Sequence, residues 1–214
     1  MVAFSLFIGI RLVPVFLPFQ SPAALAEYYV DHPLARKAGA LRWEDRKDHP
    51  LPQDFADMLS WEEMTQKVAR AYASLDSTEK VHTLLFCDNY GEAGAVNYYG
   101  PKYHLPPAYS DNASFLYWMP PDYYRFDNLL LVTDDKREME HGFIKEFKSV
   151  ALVDTIATPY ALEHGSLVIL LKGSSDAFRQ AFRAKIEKDR LRTTARGTAR
   201  SLTPNPLEDG GSMH

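Results

Sequence analysis

The apolar positions of this chain fall into short runs separated by charged residues, prolines and glycines. Val81 to Cys87 and Asn128 to Thr133 read as buried strands, the first too short for a typical helix, and Val150 to Val153 and Leu167 to Leu171 read as two more strands. Other segments carry helical spacing. Trp61, Met64, Val68, Ala71, Tyr72 and Leu75 form one stripe, and Ser60 with Glu63 reads as its capping box. Phe178, Phe182 and Ile186 mark a last amphipathic helix. Gly91 to Tyr99 reads as a short helix stopped by Gly100-Pro101, and Ser21-Pro22 caps another over Ala23 to Val30.

Strands alternating with helices predict an α/β fold, with an open, mostly parallel, Rossmann-like sheet flanked by helices. Its central unit runs from the strand Val81 to Cys87, through Asp88, Asn89 and Tyr90, into the helix from Gly91. Ligands of such sheets bind beyond the carboxyl ends of the strands, which singles out Asn89, Tyr90, Gly91 and Glu92. Gly91 and Gly94 let a ligand or a backbone approach closely, although the same glycines serve a helix that merely packs tightly on the sheet. The G-x-x-G spacing is not G-x-G-x-x-G and no Walker lysine follows, so no nucleotide fingerprint is present and no cofactor is expected. If all strands run parallel, the polar loop Asp154 to His164 lies near the same end.

The remaining stretches divide the chain. Residues 1–19 are a hydrophobic segment, 20–59 a connector with one short helix tucked onto the core by Phe55, Met58 and Leu59, 60–190 the α/β domain, and 191–214 a disordered tail. Val2 to Phe19 is almost wholly apolar, but Arg11, Pro14 and Pro18 interrupt it, and a span needs about 20 apolar residues. It reads as the end of a transmembrane helix, an interfacial anchor, or a segment packed on the core. Lys102 to Arg125 mixes Tyr103, Tyr109, Phe115, Tyr117, Trp118, Tyr123 and Tyr124 with four prolines. Such a loop either offers flat surfaces to sugars, lipid headgroups or proteins, or caps the sheet edge, with Ser114 to Trp118 a strand.

Composition adds exclusions. The 214 residues are 46% hydrophobic and 24% charged, with a net charge of -4, which argues against a general nucleic-acid binder. The single cysteine, Cys87, forms no internal disulfide and reads as a core residue. Glu62 and Glu63 are adjacent on a helix and suit capping rather than acid–base work. Asp134-Asp135 at a strand end suits a cap, with a divalent metal the alternative. His141 and His164 show no partners at zinc-ligand spacing.

Several segments together resemble a known family. LPQDFADMLSWEEM (Leu51 to Met64), CDNYGEAGAVNYYGPKYHLPPAYS (Cys87 to Ser110) and the strand-rich end are similar to the C-terminal soluble domain of bacterial PMT-like, family 39 membrane glycosyltransferases of the GT-C superfamily. The resemblance runs from about Phe16 to about Lys188. It implies an accessory domain on the periplasmic or extracellular side of the inner membrane, preceded by the last transmembrane helix, of which Val2 to Phe19 would be the remnant. It implies as partners the transmembrane part of the same enzyme and a polyprenyl-phosphate sugar or glycan acceptor. The catalytic carboxylate of that superfamily lies elsewhere, so no catalytic residue is expected in this chain. Asn89, Tyr90, Gly91, Glu92, Gly94, Tyr109, Ser110 and Trp118 are the candidate binding residues. Relatives often carry S-G-H-N-x-Y-W-L-W after the proline pair; here Ser110 and Trp118 are kept while the glycine, histidine and asparagine are not.

Overall fold

The structure, a computed structural model, describes residues 4–7, 9–10, 17 and 19–201, with side chains to residue 193. Arg11, Pro14 and Pro18, like the tail sequence TPNPLEDGGSMH, lie outside the described residues. The elements are α1 (Pro22–Asp31), α2 (Pro33–Lys37), α3 (Gln53–Ala56), α4 (Trp61–Ala73), α5 (Ser77–Val81), β1 (Thr83–Cys87), α6 (Tyr90–Tyr99), β2 (Asn128–Thr133), β3 (Phe147–Thr155), β4 (Leu167–Ser174) and α7 (Asp176–Ser201). Ser21 caps α1 through its side chain, as its pairing with Pro22 predicts.

The four strands form one sheet in the order β1-β2-β4-β3. Only β1 and β2 are parallel; β4 runs antiparallel to both β2 and β3. The expected mostly parallel sheet is therefore corrected to a mixed one. A parallel neighbour needs a crossover, usually helical. Helix α6 supplies it between β1 and β2, whereas β3 passes to β4 through the helix-free loop 156–166, which turns the chain back on itself. Because β3 and β4 both pair at their Thr155 and Leu167 ends, and Leu167 also pairs with Thr133, that loop does lie at the carboxyl ends of β1 and β2. The outer edge, β3, is irregular at Leu152 and Asp154, a bulge that blunts it.

Near-continuous apolar runs bury both faces of the sheet. Leu85, Cys87, Leu130, Val132, Val168 and Leu170 face α4 and α6, meeting Met64, Val68, Ala93 and Val96. Leu84, Phe86, Leu129, Leu131, Ile169 and Leu171 face α7 and the aromatic loop, meeting Met119, Tyr123, Phe126 and Ile186. A third cluster, Leu25, Tyr29, Leu41 and Leu51, holds the connector together, with Phe55, Leu59 and Tyr160 against it while Met58 stays exposed.

Local chemistry differs from expectation in four places. Ser60 takes a left-handed conformation at φ 73° and makes no side-chain cap, so the Ser60–Glu63 capping box does not form. Gly100 is right-handed, and α6 tightens into a 3-10 turn over Gly100–Tyr103 that ends on left-handed His104. A Cβ on Gly100 would meet Leu105 at 3.2 Å, so close packing is what this glycine serves. Ser114 to Trp118 is no strand: Ala113–Tyr117 is a 3-10 helix. The helix expected to stop near Arg190 continues to Ser201, so residues 191–201 of the expected disordered tail are helical.

Candidate functional site at the carboxyl ends of β1 and β2

The turn after β1 is built by a capping box that the spacing N-x-x-E already contains. Asn89 Oδ1 accepts from the Glu92 N–H at 2.9 Å, and Glu92 Oε2 accepts from the N–H groups of Asp88 at 3.1 Å and Asn89 at 3.3 Å. The box buries Glu92 completely. Its other oxygen, Oε1, faces no N–H or hydroxyl donor. Beside it stands Glu163, from loop 156–166, itself 4% exposed. Glu163 accepts from Ser166 Oγ at 2.7 Å. Two buried carboxyls in one neighbourhood disfavour ionisation of both. Burial, then the Glu163 charge, pushes Glu92 up to about 9. Burial also raises Glu163.

Asp88 organises the other side of the turn. Its carboxylate accepts from Thr133 Oγ1 at 2.7 Å, and its carbonyl accepts from Ser110 Oγ at 3.4 Å. Ser110 is fully buried and in turn accepts from the Asn112 N–H. Tyr109 pairs its backbone with β1, donating to Leu85 O and accepting from Cys87 N. Cys87 is fully buried and burial holds its thiol well above the usual range, which suits a core residue.

The structure thus brings Asn89, Glu92 and Ser110 together around Asp88, with Tyr109 alongside. Tyr90 projects into solvent. Gly91 lies under Trp61, and Gly94 faces Phe115, whose ring meets exposed Trp118 at 4.6 Å. Of the aromatic loop, Tyr117 and Trp118 are exposed, while Phe115 and Tyr123 join the core. The two glycines behave differently. A Cβ on Gly91 would sit 3.1 Å from Asn89 Oδ1 and 3.3 Å from the Trp61 ring, whereas one on Gly94 would sit 4.0 Å from Phe115. Gly91→Val is expected to destabilise the domain by about 1–3 kcal/mol through overpacking. Gly94→Ala is expected to be neutral or to stabilise by up to about 1 kcal/mol, both read from urea unfolding midpoints.

Sequence spacing misses two groups. Glu163 and Ser166 carry no recognisable motif. His141 does have partners: ligand atoms of Asp135, Glu138 and His141 lie within 4.8 Å of one another, because a 3-10 turn over Glu138–Glu140 stacks every third residue. The ring of His141 lies 3.3 Å from Asp135 and 3.4 Å from Glu138. Nearby, a cavity of about 360 Å³ opens between the sheet and α7, lined by Phe86, Leu131, Phe178 and Phe182 with Asp88 and Glu138 among its polar groups. Burial, then Asp88, raises the Glu138 carboxyl.

The expected capping role of Glu63 is replaced by another. Its carboxylate accepts from the N–H groups of Ala157 and Thr158, both at 2.9 Å, and from the Thr158 hydroxyl, and it pairs with Lys67 at 2.7 Å. Lys67 also meets Asp154 at 3.0 Å and donates to Thr155 O. No family model, no curated protein and no solved structure matches this chain.

Proposed function

We propose that this chain is the water-facing accessory domain of a membrane glycosyltransferase using a polyprenyl-phosphate sugar donor, covering the active site or helping to seat the acceptor, and catalytically silent alone. The carrying observation lies at its beginning. Among the described residues, Phe4, Leu6, Ile10 and Phe19 are 68%, 61%, 69% and 74% exposed and belong to none of the three hydrophobic clusters. Several large apolar groups left in water close together along the chain ask for lipid or protein to cover them. No helix among the described residues is long and apolar enough to cross a membrane, so the reading assigns these groups to the end of a longer hydrophobic element. The run N-Y-G-E-A-G-A supports the reading as shared architecture: its polar groups are used in holding the turn. The domain would then face the periplasm or the cell exterior, with the membrane-embedded part of the same enzyme as partner.

The test has two parts. The full chain is expected to float with phosphatidylethanolamine–phosphatidylglycerol vesicles, and the Phe4→Ser, Leu6→Ser, Ile10→Ser triple variant to remain in solution. The coding sequence upstream is expected to encode further apolar helices in frame. Sugar transfer by the purified chain unaided, or indifference to vesicles, defeats the proposal.

One observation favours a second reading, a small-ligand binder: the cavity beside Asp88. A nucleotide or sugar that raises the melting temperature of the wild type, but not of Phe182→Ala, would select it over the first.

A further inference from the structure

The cavity of about 360 Å³ between the sheet and α7 has two unlike ends. One is an aromatic wall. Phe178 and Phe182, neighbours on one face of α7, stack with ring centroids 6.1 Å apart. Phe143 stacks on Phe178 at 5.7 Å, and Phe86 of β1 meets Phe182 edge-on at 5.3 Å. Each ring is held by the next, so the wall is in place before anything binds.

The other end is acidic. Asp88 follows β1 and Glu138 belongs to the turn after β2, so the acids gather where the parallel strands end, the side on which α/β sheets take ligands. Among the described residues lining the cavity, the carboxylates of Asp88, Asp111 and Glu138 meet a single ammonium, Lys185. Lys185 pairs with Asp111 and lies 3.6 Å from Asp189, so its charge is already balanced. The Asp88 carboxylate accepts from the Thr133 hydroxyl at 2.7 Å, a bond that satisfies a lone pair and neutralises no charge. The Glu138 side chain is only 12% exposed. His141, 3.4 Å from it, adds positive charge only when protonated. Burial, then the Asp88 charge, raises the Glu138 carboxyl, the response of acids that share a site.

We propose that this cavity binds an organic cation, with a protonated amine held by Asp88 and Glu138 and an aromatic or aliphatic body against the phenylalanine wall. The inference rests on the small-ligand reading of the cavity and narrows its occupant; the accessory-domain reading stands or falls apart from it. A bare metal ion would use the acidic end and leave the wall idle. An anion would meet two carboxylates and a lysine that is already paired. A cation on an apolar body matches both ends, and the ring faces add to the attraction for its charge.

The test is calorimetric titration of the full chain with tryptamine, tryptophol and indole-3-propionate, which share a ring and differ in charge. It is run with EDTA at about pH 8, above the ordinary imidazole range. Tryptamine is expected to bind about tenfold more tightly than tryptophol, the worth of one charge-assisted hydrogen bond, and indole-3-propionate to bind weakest. Glu138→Gln and Asp88→Asn keep the shape of the site, and each is expected to bring amine and alcohol within about threefold of one another. Lys185→Met, at an exposed position of α7, is expected to bind tryptamine at least as tightly as wild type. Equal affinity of wild type for amine and alcohol overturns the cation assignment and leaves a small-ligand cavity standing. No binding of any of the three at millimolar concentration overturns both. A preference for the amine that survives in Glu138→Gln and in Asp88→Asn places it elsewhere and overturns the assignment. So does weaker amine binding by Lys185→Met, which keeps the proposal testable even if the two acid variants fail to fold.

Discussion

Glu63→Ala is expected to destabilise the domain by about 2–4 kcal/mol at neutral pH, although residue 63 lies on a helix whose own backbone does not need it. The carboxylate satisfies the N–H groups of Ala157 and Thr158 and the Thr158 hydroxyl. Removing it orphans these donors and takes one anion from Lys67, whose side chain is only 11% exposed. Asp154 remains as a partner for that lysine, which keeps the loss from reaching the top of the range for a broken buried pair. Glu63→Gln retains a carbonyl acceptor and should cost less, about 1–2 kcal/mol. Its pH signature is defined. Burial pushes the Glu63 carboxyl up, but hydrogen bonds from Lys67, Thr158 and Ala157 outweigh it and hold the group at about 2. A folded value below the unfolded one gives stability that is present above the unfolded carboxylate range and lost as pH falls toward 2. Urea unfolding at neutral pH and near pH 3 checks this: the gap between wild type and Glu63→Gln should narrow in acid.

How much of this was legible in the sequence depended on whether partners were near or far along the chain. Strand β2 is bounded by its own polarity, and its expected and observed limits agree at Asn128 and Thr133. β3 extends beyond Val150 to Val153 on both sides, because an edge strand tolerates exposed Lys148 and Ser149 and half-buried Asp154 that mask the apolar run. Strand direction was not legible, since it follows from the connection, and loop 156–166 resembles other polar loops until it is seen to lack a helix. The two capping patterns show the same limit. Ser60-x-x-Glu63 and Asn89-x-x-Glu92 both satisfy the motif, yet only the second has extended backbone at the cap, at φ -125°. At Ser60 the chain turns left-handed, and Glu63 is free to serve the loop after β3 instead.

The candidate site was legible on one side only. Asn89 and Glu92 stood out by following a strand, and Ser110 through its place in a resembling run. Glu163 closes the site from a distant loop, and nothing in its neighbours along the chain marks it. It sets a second buried carboxyl at this joint, while Trp118 and Tyr90 are exposed members of the set.

That joint makes Glu92→Ala the variant with the largest expected effect, and the one whose effect depends most on pH. Near pH 5 the substitution empties a fully buried site and strands the N–H groups of Asp88 and Asn89. Cavity and orphaned donors together are expected to cost about 3–5 kcal/mol. The sign of the pH dependence is opposite to that of Glu63. A carboxyl raised to about 9 in the folded state keeps a proton that the unfolded chain has released, so its contribution is complete in acid and declines as pH rises toward 9. The alanine variant has no such group and cannot decline with it. The difference between wild type and Glu92→Ala should therefore shrink with rising pH, by at most about 1.4 kcal/mol per pH unit and by less to the extent that Glu163 shares the proton. Urea unfolding near pH 5, 7 and 9 measures it. A constant penalty across that range would mean that Glu92 acts in the fold as a charged cap alone.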